Sequence, residues 1–220
     1  MNDLISVIIP CKNGEKYLSE ALDGIRRQNM NVEIILIDDA STDRTIEIAE
    51  KKGCRVIRQA TSLGQVIAKN EGLKVAKGSY ILFHDHDDVM RENALATLYR
   101  AMSDDVSAVM GKVKDFISPD AQDQTASMQN NPYWGLLTGA VLIKKAVFDR
   151  VGPFPETIHG GEIIDLTNRM NDAGLKVKKI DFITTDRRIH DTNFGKTNRQ
   201  KEFKDYASVL RARLIRPVGK

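Results

Sequence analysis

The sequence contains little cysteine and no long apolar run. Its two cysteines, Cys11 and Cys54, lack metal-ligand spacing and any secretory context, so we expect reduced thiols in a reducing compartment. No apolar stretch approaches the ~20 residues that span a bilayer, and the first residues lack the basic region of a secretion signal. These absences predict a soluble, cytoplasmic protein.

An excess of charge of one sign is also missing. The 220 residues carry 33 Lys and Arg against 30 Asp and Glu, a formal net charge of +3. That balance argues against a dedicated nucleic-acid binder. A chain of this length can fold as one domain with a buried core and is short for two. We therefore expect one domain and no nucleic-acid partner, whereas the oligomeric state has no signal in the sequence.

The first half alternates short β-branched runs with amphipathic helical patterns. This alternation predicts an α/β fold, in which helices flank a mainly parallel mixed sheet of the Rossmann-like kind. The helical patterns lie between the predicted strands, as crossover connections require. The predicted strands are residues 4–9, 32–37, 55–58, 80–83 and 106–113.

The second half is less regular. Polar residues 118–131 are typical of a surface loop, and residues 175–189 predict a pair of strands broken near Asp181. The basic tail, residues 195–220, predicts an amphipathic helix. Docking on the domain and peripheral contact with the anionic inner face of a membrane are both compatible with its charge. The other predicted elements are a strand at 138–143 and helices at 145–151 and 164–173.

Three aspartates follow the predicted strand 80–83. Asp85 and Asp87 are two residues apart, so in an extended segment their carboxylates leave the same side, and two oxygen ligands suit Mg²⁺ or Mn²⁺. Asp88 adds a third candidate ligand. These carboxylates repel one another, and a bound cation with a diphosphate would remove that cost. The alternative interpretation is a helix cap within a solvated acidic turn.

Two other predicted strands also end in polar residues. Ligands of open α/β sheets bind at the carboxyl ends of strands, where residues 10–13 and the pair Asp38-Asp39 are found. One of these two carboxylates could accept a base N–H or a ribose hydroxyl, although a capping turn is the simpler interpretation. Lys12, Lys69 and Asn70 are candidate phosphate or ribose contacts, although each alone is more typical of a surface residue.

Taken together, these segments resemble the family 2 glycosyltransferases of the GT-A fold, over nearly the whole chain up to about residue 193. The order and spacing of the segments are more specific than any one of them. The resemblance implies one GT-A domain over residues 1–194, with a nucleotide-sugar-binding half at 1–113, an acceptor-side half at 114–194, and the tail outside it. The four segments are VIIPCKN at 7–13, EIILIDDASTD at 33–43, AKNEG at 68–72 with AKGSYILF at 76–83, and DHDD at 85–88.

The resemblance also implies roles for particular residues. Pro10, Lys12 and Asp39 would line the base pocket, beside Asn13. Asp85, Asp87 and Asp88 would form the DxD region, which contacts ribose and the metal. His190, in Arg188-Ile-His190, would complete the metal or diphosphate site, and Lys69 would contact the donor. The implied activity uses Mn²⁺ or Mg²⁺ and a nucleotide-diphosphate sugar, with UDP favoured, to glycosylate a glycan or lipid-linked acceptor in glycan or cell-surface polysaccharide synthesis.

The sequence departs from the family pattern where the catalytic base is expected. The family usually has Glu-Asp there, and this chain has Glu162-Ile163, so the base position carries a side chain that cannot take a proton. Glu162 or Asp165 could replace it and support a direct displacement that inverts the anomeric centre. In the alternative, Glu162 caps the helix, Asp165 forms a surface ion pair, and the protein binds nucleotide or glycan without transfer.

Two other function classes share parts of these motifs. His84-x-His86-x-Asp88 matches most of a metallo-hydrolase signature, but its last histidine is Val89. The remaining histidines, His159 and His190, are too few for the usual imidazole ligands. A phosphoacceptor domain would also place acidic residues at a strand end, although receivers carry that pair after the first strand and are shorter.

Overall fold

The computed structural model describes residues 3–125, 128–135, 138–158 and 160–193. These residues form one eight-stranded sheet with helices on its faces. The strand order is β3-β2-β1-β4-β7-β6-β8-β5. The strands are β1 (Ile5–Cys11), β2 (Val32–Asp38), β3 (Arg55–Arg58), β4 (Tyr80–Phe83), β5 (Val89–Met90), β6 (Val106–Ile117), β7 (Val141–Lys144) and β8 (Lys176–Ile189). The helices are α1 (Leu18–Arg26), α2 (Thr45–Lys51), α3 (Gln65–Val75), α4 (Ala94–Arg100), α5 (Ala146–Val151) and α6 (Glu162–Asp172).

The sheet is mixed and mostly parallel, which confirms the predicted fold class. Strands β3, β2, β1 and β4 run parallel to one another, as do β6 and β8. Strand β7 is antiparallel to both of its neighbours, and β5 is antiparallel to β8. The carboxyl ends of β1, β2 and β4 therefore meet at one edge, because Cys11 lies opposite Asp38 and Ile8 opposite Phe83.

Strand side chains alternate between two hydrophobic cores, one on each face of the sheet. Ile8 and Phe83 pack on the face covered by α3, α5 and α6. Ile9 and Leu82 pack on the opposite face, against α1 and α4. Both cores are built largely from fully buried aliphatic side chains. The sheet is thus held rigidly from both sides, and its polar carboxyl edge is free to form a site.

Several element boundaries differ from the sequence prediction. Strand β1 continues through Pro10 to Cys11, because the missing N–H of Pro10 faces the side where β4 has already ended. Residues 138–140 form a 3₁₀ turn ahead of β7. The expected strand pair is wrong: β8 is one continuous strand, and a register shift against β6 between Met110 and Lys112 places the bulge at the predicted break near Asp181.

The predicted division of the domain can be placed on this fold. Position 113 falls inside β6, so one continuous sheet crosses the line between the two expected halves. The tail at 195–220 lies outside the described residues. Among the described residues, no helix is long and apolar enough to cross a membrane.

Candidate active site

The loop after β4 brings two predicted metal ligands into contact. His190, just past the end of β8, has its Nε2 2.8 Å from Oδ2 of Asp87. Burial works to raise the pKa of Asp87, but the nearby His86 and the hydrogen bond with His190 outweigh it and lower that pKa to about 2. Asp87 is therefore an ionised carboxylate throughout the neutral range, as a cation ligand must be.

Asp88, the third predicted ligand, faces the protein instead. Its side chain is buried, and Oδ1 accepts a hydrogen bond from the backbone N–H of Arg188 at 2.9 Å. Burial and the neighbouring carboxylates of Asp87 and Asp85 raise the pKa of Asp88 well above its usual range. Because one oxygen is already used by β8, Asp88 anchors the acidic loop to that strand.

Arg188 completes this anchor. Its Nε donates to the backbone carbonyl of Asp87 at 2.9 Å, and its guanidinium carbon lies 4.7 Å from the ring centroids of both Tyr17 and Phe116. The side chain is buried between the two rings and donates to Ser118. A planar guanidinium suits this stacked position and a lysine does not. The acidic loop is therefore held by β8 and by Arg188, which packs on Tyr17 just before α1.

The pair Asp87 and His190 fits a divalent cation that also binds a diphosphate. Mg²⁺ and similar ions commonly take one or two protein ligands and complete their shell with phosphate oxygens and water. An ionised carboxylate beside an imidazole nitrogen is such a donor set, and Mn²⁺ accepts imidazole more readily than Mg²⁺ does. Within the described ranges, no cluster of three His, Cys, Asp or Glu side chains forms a complete metal site. Diphosphate oxygens and water could supply further ligands.

A second polar cluster lies beside the acidic loop and is almost fully buried. Lys69 of α3 forms an ion pair with Glu162, the first residue of α6, and its Nζ lies 3.3 Å from Oγ1 of Thr138. Burial alone would lower the pKa of Lys69, but the carboxylates of Glu162 and Asp85 raise it above its usual value. Asp85 itself has a raised pKa, chiefly because of burial. The Lys69 ammonium of α3 thus interacts electrostatically with Glu162 of α6 and with Asp85 of the loop after β4.

The two predicted base candidates have different surroundings. Glu162 is buried in the cluster with Lys69 and Asp85. Asp165 is partly exposed and pairs with Arg169 four residues along α6, at 2.7 Å. Arg169 also donates a hydrogen bond to the carbonyl oxygen of Gly152 at 2.9 Å. Ile163, at the position where the family usually has its base, is 2% exposed within the hydrophobic core.

The predicted base-binding residues lie together at the ends of β1 and β2. Asp39 is buried and accepts hydrogen bonds from Ser62 Oγ at 2.7 Å and from the backbone N–H of Leu63 at 2.6 Å. Lys12 Nζ contacts the same Ser62 hydroxyl at 3.1 Å. Pro10 is buried in β1. The structure therefore brings Lys12 and Asp39 together through Ser62, which the sequence had not singled out.

Asn13 has a structural contact at this edge. Its backbone has a positive φ of 53°, a conformation that Asn tolerates better than most residues. Oδ1 of Asn13 accepts a hydrogen bond from the backbone N–H of Thr42 at 2.9 Å. The backbone N–H of Asn13 donates a hydrogen bond to Oγ of Ser41, also at 2.9 Å. These bonds tie the β1 loop to the β2 loop, so Asn13 shapes the edge on which the other residues lie.

Comparison with known proteins assigns the fold to a family. Residues 6–154, more than half of the chain, match the model described as glycosyl transferase family 2. The chain belongs to glycosyltransferase family 2. This membership confirms the resemblance drawn from the sequence motifs, and it is consistent with the site at the carboxyl edge of the sheet.

Three known proteins illustrate the similarity. This family 2 chain is 38% identical over 195 residues to poly(ribitol-phosphate) beta-glucosyltransferase of Bacillus spizizenii, covering 80% of the chain and 30% of that protein. S. aureus TarS 1-349 in complex with UDP-GlcNAc has a similar fold, with a TM-score of 0.71 and 24% identity. That match covers 88% of this chain and 60% of the solved chain. Mannosyltransferase PcManGT from Pyrobaculum calidifontis, in complex with GDP-Man and Mn²⁺, has a TM-score of 0.75 and 17% identity. That match covers 96% of this chain and 65% of the solved chain. The chain thus spans less than a third of the first relative and under two thirds of either solved chain.

Other residues of this family 2 domain were not identifiable from the sequence. Thr138 and Ser62 have no distinctive motif, and their roles depend on long-range contacts. A signal for the buried ion pair did exist, since Lys69 lies among the apolar residues of α3, where an unpaired lysine is rare. The histidine motif of a hydrolase does not form a site here: His84 is fully buried, and neither ring nitrogen has a partner among the described residues.

Proposed function

We propose that this domain transfers a sugar from a nucleotide-diphosphate donor, with UDP favoured, to a hydroxyl group of a glycan acceptor. The contact between Asp87 and His190 at the carboxyl edge of the sheet is the observation that carries the proposal. Family membership supports the same reaction class, and the name of the Bacillus relative indicates one acceptor type, poly(ribitol phosphate). The acceptor belongs, in this proposal, to cell-surface polysaccharide synthesis.

In this proposal, Asp87 and His190 hold Mn²⁺ or Mg²⁺. The ion would supply positive charge that stabilises the departing nucleotide diphosphate. Asp39 and Lys12 would bind the base, and Asp85 would face the ribose. Asp88 keeps the loop in register through its bond to β8, a supporting role rather than direct ligation.

Of the two base candidates, we propose Glu162. It shares the buried cluster with Asp85 and Lys69, whereas Asp165 is partly exposed and is already paired with Arg169. The Glu162 carboxylate lies against the Lys69 ammonium, and a carboxylate at this place in the site could accept the proton of an acceptor hydroxyl. One direct displacement by that hydroxyl would invert the anomeric centre.

A second candidate function is nucleotide-sugar binding without transfer. The observation that favours it is the burial of Ile163 at the usual base position, together with the ion pair that already occupies Glu162. The two candidates share the donor site and differ only in the proton-accepting step. They are therefore separated by measuring donor binding and product formation on the same preparation.

Calorimetric titration with UDP-glucose, UDP-GlcNAc and GDP-mannose, with Mn²⁺ and then with EDTA, tests the donor site. We expect binding of at least one donor that weakens when the metal is removed. Failure to bind any donor would overturn the proposal. Metal-dependent binding together with no transfer to ribitol phosphate oligomers or to any glycan in an acceptor panel would favour the second candidate.

A further inference from the structure

The only tryptophan of the sequence is held at the surface close to the site. Trp134 is 42% exposed, although a large aromatic side chain gains stability when it is buried. Its orientation is nevertheless fixed, because Nε1 donates a hydrogen bond to the carbonyl oxygen of Ile180 at 3.2 Å. That carbonyl lies in the bulge of β8. The ring is therefore a rigid, exposed platform.

Positive charge surrounds this ring. The ammonium groups of Lys112 and Lys179 lie 4.6 and 5.8 Å from the ring centroid. Lys112 also pairs with Asp181 at 2.6 Å, but the Asp181 side chain is 81% exposed. The Lys112 side chain is only 18% exposed, but its partner carboxylate is largely in solvent, so an incoming anion can compete with Asp181 for that ammonium. Two lysines against one aspartate leave a net positive surface beside the aromatic ring.

The chain path connects this surface to the proposed active site. Tyr133 pairs with Val113 of β6, so the segment that carries Trp134 is fixed against the sheet. Three residues separate Trp134 from Thr138, whose hydroxyl lies 3.3 Å from Nζ of Lys69. An extended chain spans at most ~3.6 Å per residue, so the Cα atoms of Trp134 and Thr138 are within about 14 Å. That is the reach of a few units of a polymer.

We infer that Trp134, Lys112 and Lys179 form a remote subsite for a phosphate-bearing segment of the acceptor polymer. This inference rests on the proposed function and names the acceptor chemistry. The ring face would pack against the C–H groups of a polyol or sugar unit, and the two ammonium groups would bind the adjacent phosphodiester. An uncharged glycan would use only the first contact and would bind more weakly.

Because Trp134 is the single tryptophan, fluorescence excited selectively at tryptophan, and not at the five tyrosines, reports this surface alone. The experiment titrates the intact protein with a ribitol phosphate tetramer and compares maltotetraose and inorganic phosphate. We expect a saturable change in emission with the tetramer, and a dissociation constant that rises with salt concentration as for a charged contact. A response of equal affinity to maltotetraose, or no response to the tetramer, would overturn the inference.

Two matched lysine variants test the charge. Lys179→Ala removes an ammonium beside the ring, whereas Lys176→Ala removes an exposed lysine of the same strand that pairs with Asp105. We expect Lys179→Ala to weaken tetramer binding about tenfold, the effect of one screened charge-assisted bond, and Lys176→Ala to leave it within about twofold. Equal effects of the two variants would contradict the subsite.

The same preparations separate this inference from the proposed function. Wild-type protein that binds a UDP-sugar calorimetrically but shows no fluorescence response to the tetramer disproves the subsite and leaves the donor site intact. If the wild-type protein binds no donor in the same calorimetric experiment, the proposed function is refuted, whatever the fluorescence shows. Two further variants, Trp134→Phe and Trp134→Ala, are compared by calorimetry. Because Trp134→Phe keeps an aromatic ring, we expect it to lose less affinity for the tetramer than Trp134→Ala does. Identical losses would contradict stacking.

Discussion

The imidazole of His190 lies 2.8 Å from the carboxylate of Asp87, although 103 residues separate them in the chain. One side chain follows β4 and the other follows β8, and these strands are not neighbours in the sheet. The contact depends on Arg188, which binds the Asp87 carbonyl and, through its own N–H, the Asp88 carboxylate. The local geometry of this pair is the basis for the metal-dependent part of the proposed function.

Replacing Asp87 by Ala should weaken donor binding in the presence of Mn²⁺. We expect a loss of at least roughly 10- to 100-fold in affinity, because losing even an outer-shell partner of a metal ligand costs about that much. Calorimetry with and without EDTA measures the effect, and the EDTA value should change little. Asp105→Ala, which removes an exposed carboxylate on the surface, is the control. Unchanged Mn²⁺-dependent affinity in Asp87→Ala would contradict the assignment.

Replacing Glu162 by Gln should separate transfer from binding. Loss of a general base typically lowers the rate by ~10²–10⁴-fold, so kcat should fall by that amount while donor affinity stays within about threefold. Asp165→Asn is the matched variant, since its carboxylate pairs with Arg169 and should cost far less activity. Product formation is followed by release of the nucleoside diphosphate. Equal losses in both variants would argue against Glu162 as the base.

Replacing Lys69 by Met should destabilise the fold. The change leaves the buried Glu162 carboxylate without its partner, and breaking a buried ion pair from one side typically costs ~3–5 kcal/mol. The double variant Lys69→Met with Glu162→Leu removes both charges and should recover most of that loss. Urea unfolding followed by circular dichroism gives the free energies. A double variant no more stable than Lys69→Met alone would show that packing, rather than charge, accounts for the loss.

His84 should make stability depend on pH. Burial lowers its pKa from 6.5 to about 4, so between these values the unfolded chain binds the proton and the folded protein does not. Stability is therefore complete above pH 6.5 and falls as the pH is lowered toward 4. From pH 7 to pH 5, His84 should cost about 2 kcal/mol.

His84→Leu is the comparison for this effect. Neither ring nitrogen has a partner among the described residues, so the variant sacrifices no described hydrogen bond of the ring. The nearby Asp85 and Asp88 have raised pKa values, which act in the opposite direction and are present in both proteins. Urea unfolding at pH 7 and pH 5 should show the smaller loss for His84→Leu. Identical losses would exclude His84 as the source.

The fold and the edge that holds the site were predictable from the sequence because both follow from local patterns. Strands β3 and β4 have the predicted bounds, since each is a short β-branched or apolar run enclosed by polar residues. The contact of Asp87 with His190 was expected only through the family resemblance. No local pattern gives the distance between two loops that are so far apart in the chain.

Side-chain direction was the least predictable property. Asp88 lies one residue from Asp87, yet it turns toward β8 because the N–H of Arg188 is available there. The sequence analysis also did not anticipate that Lys69 lies buried against Glu162. Its partner comes from α6, and that pairing depends on how two helices pack over the sheet. The β8 strand appeared broken because Asp181 interrupts its apolar pattern, which the bulge accommodates.

The position of β8 at the end of the described domain has a consequence for biosynthesis. The acidic loop leaves the ribosome about a hundred residues before the histidine that meets it, and Arg188, which clamps that loop, also arrives late. A nascent chain can therefore form the four parallel strands β3, β2, β1 and β4 before His190 is available to contact Asp87. The nascent domain should then gain metal-dependent affinity for a nucleotide late in its folding. That affinity would indicate that β8 has joined the sheet.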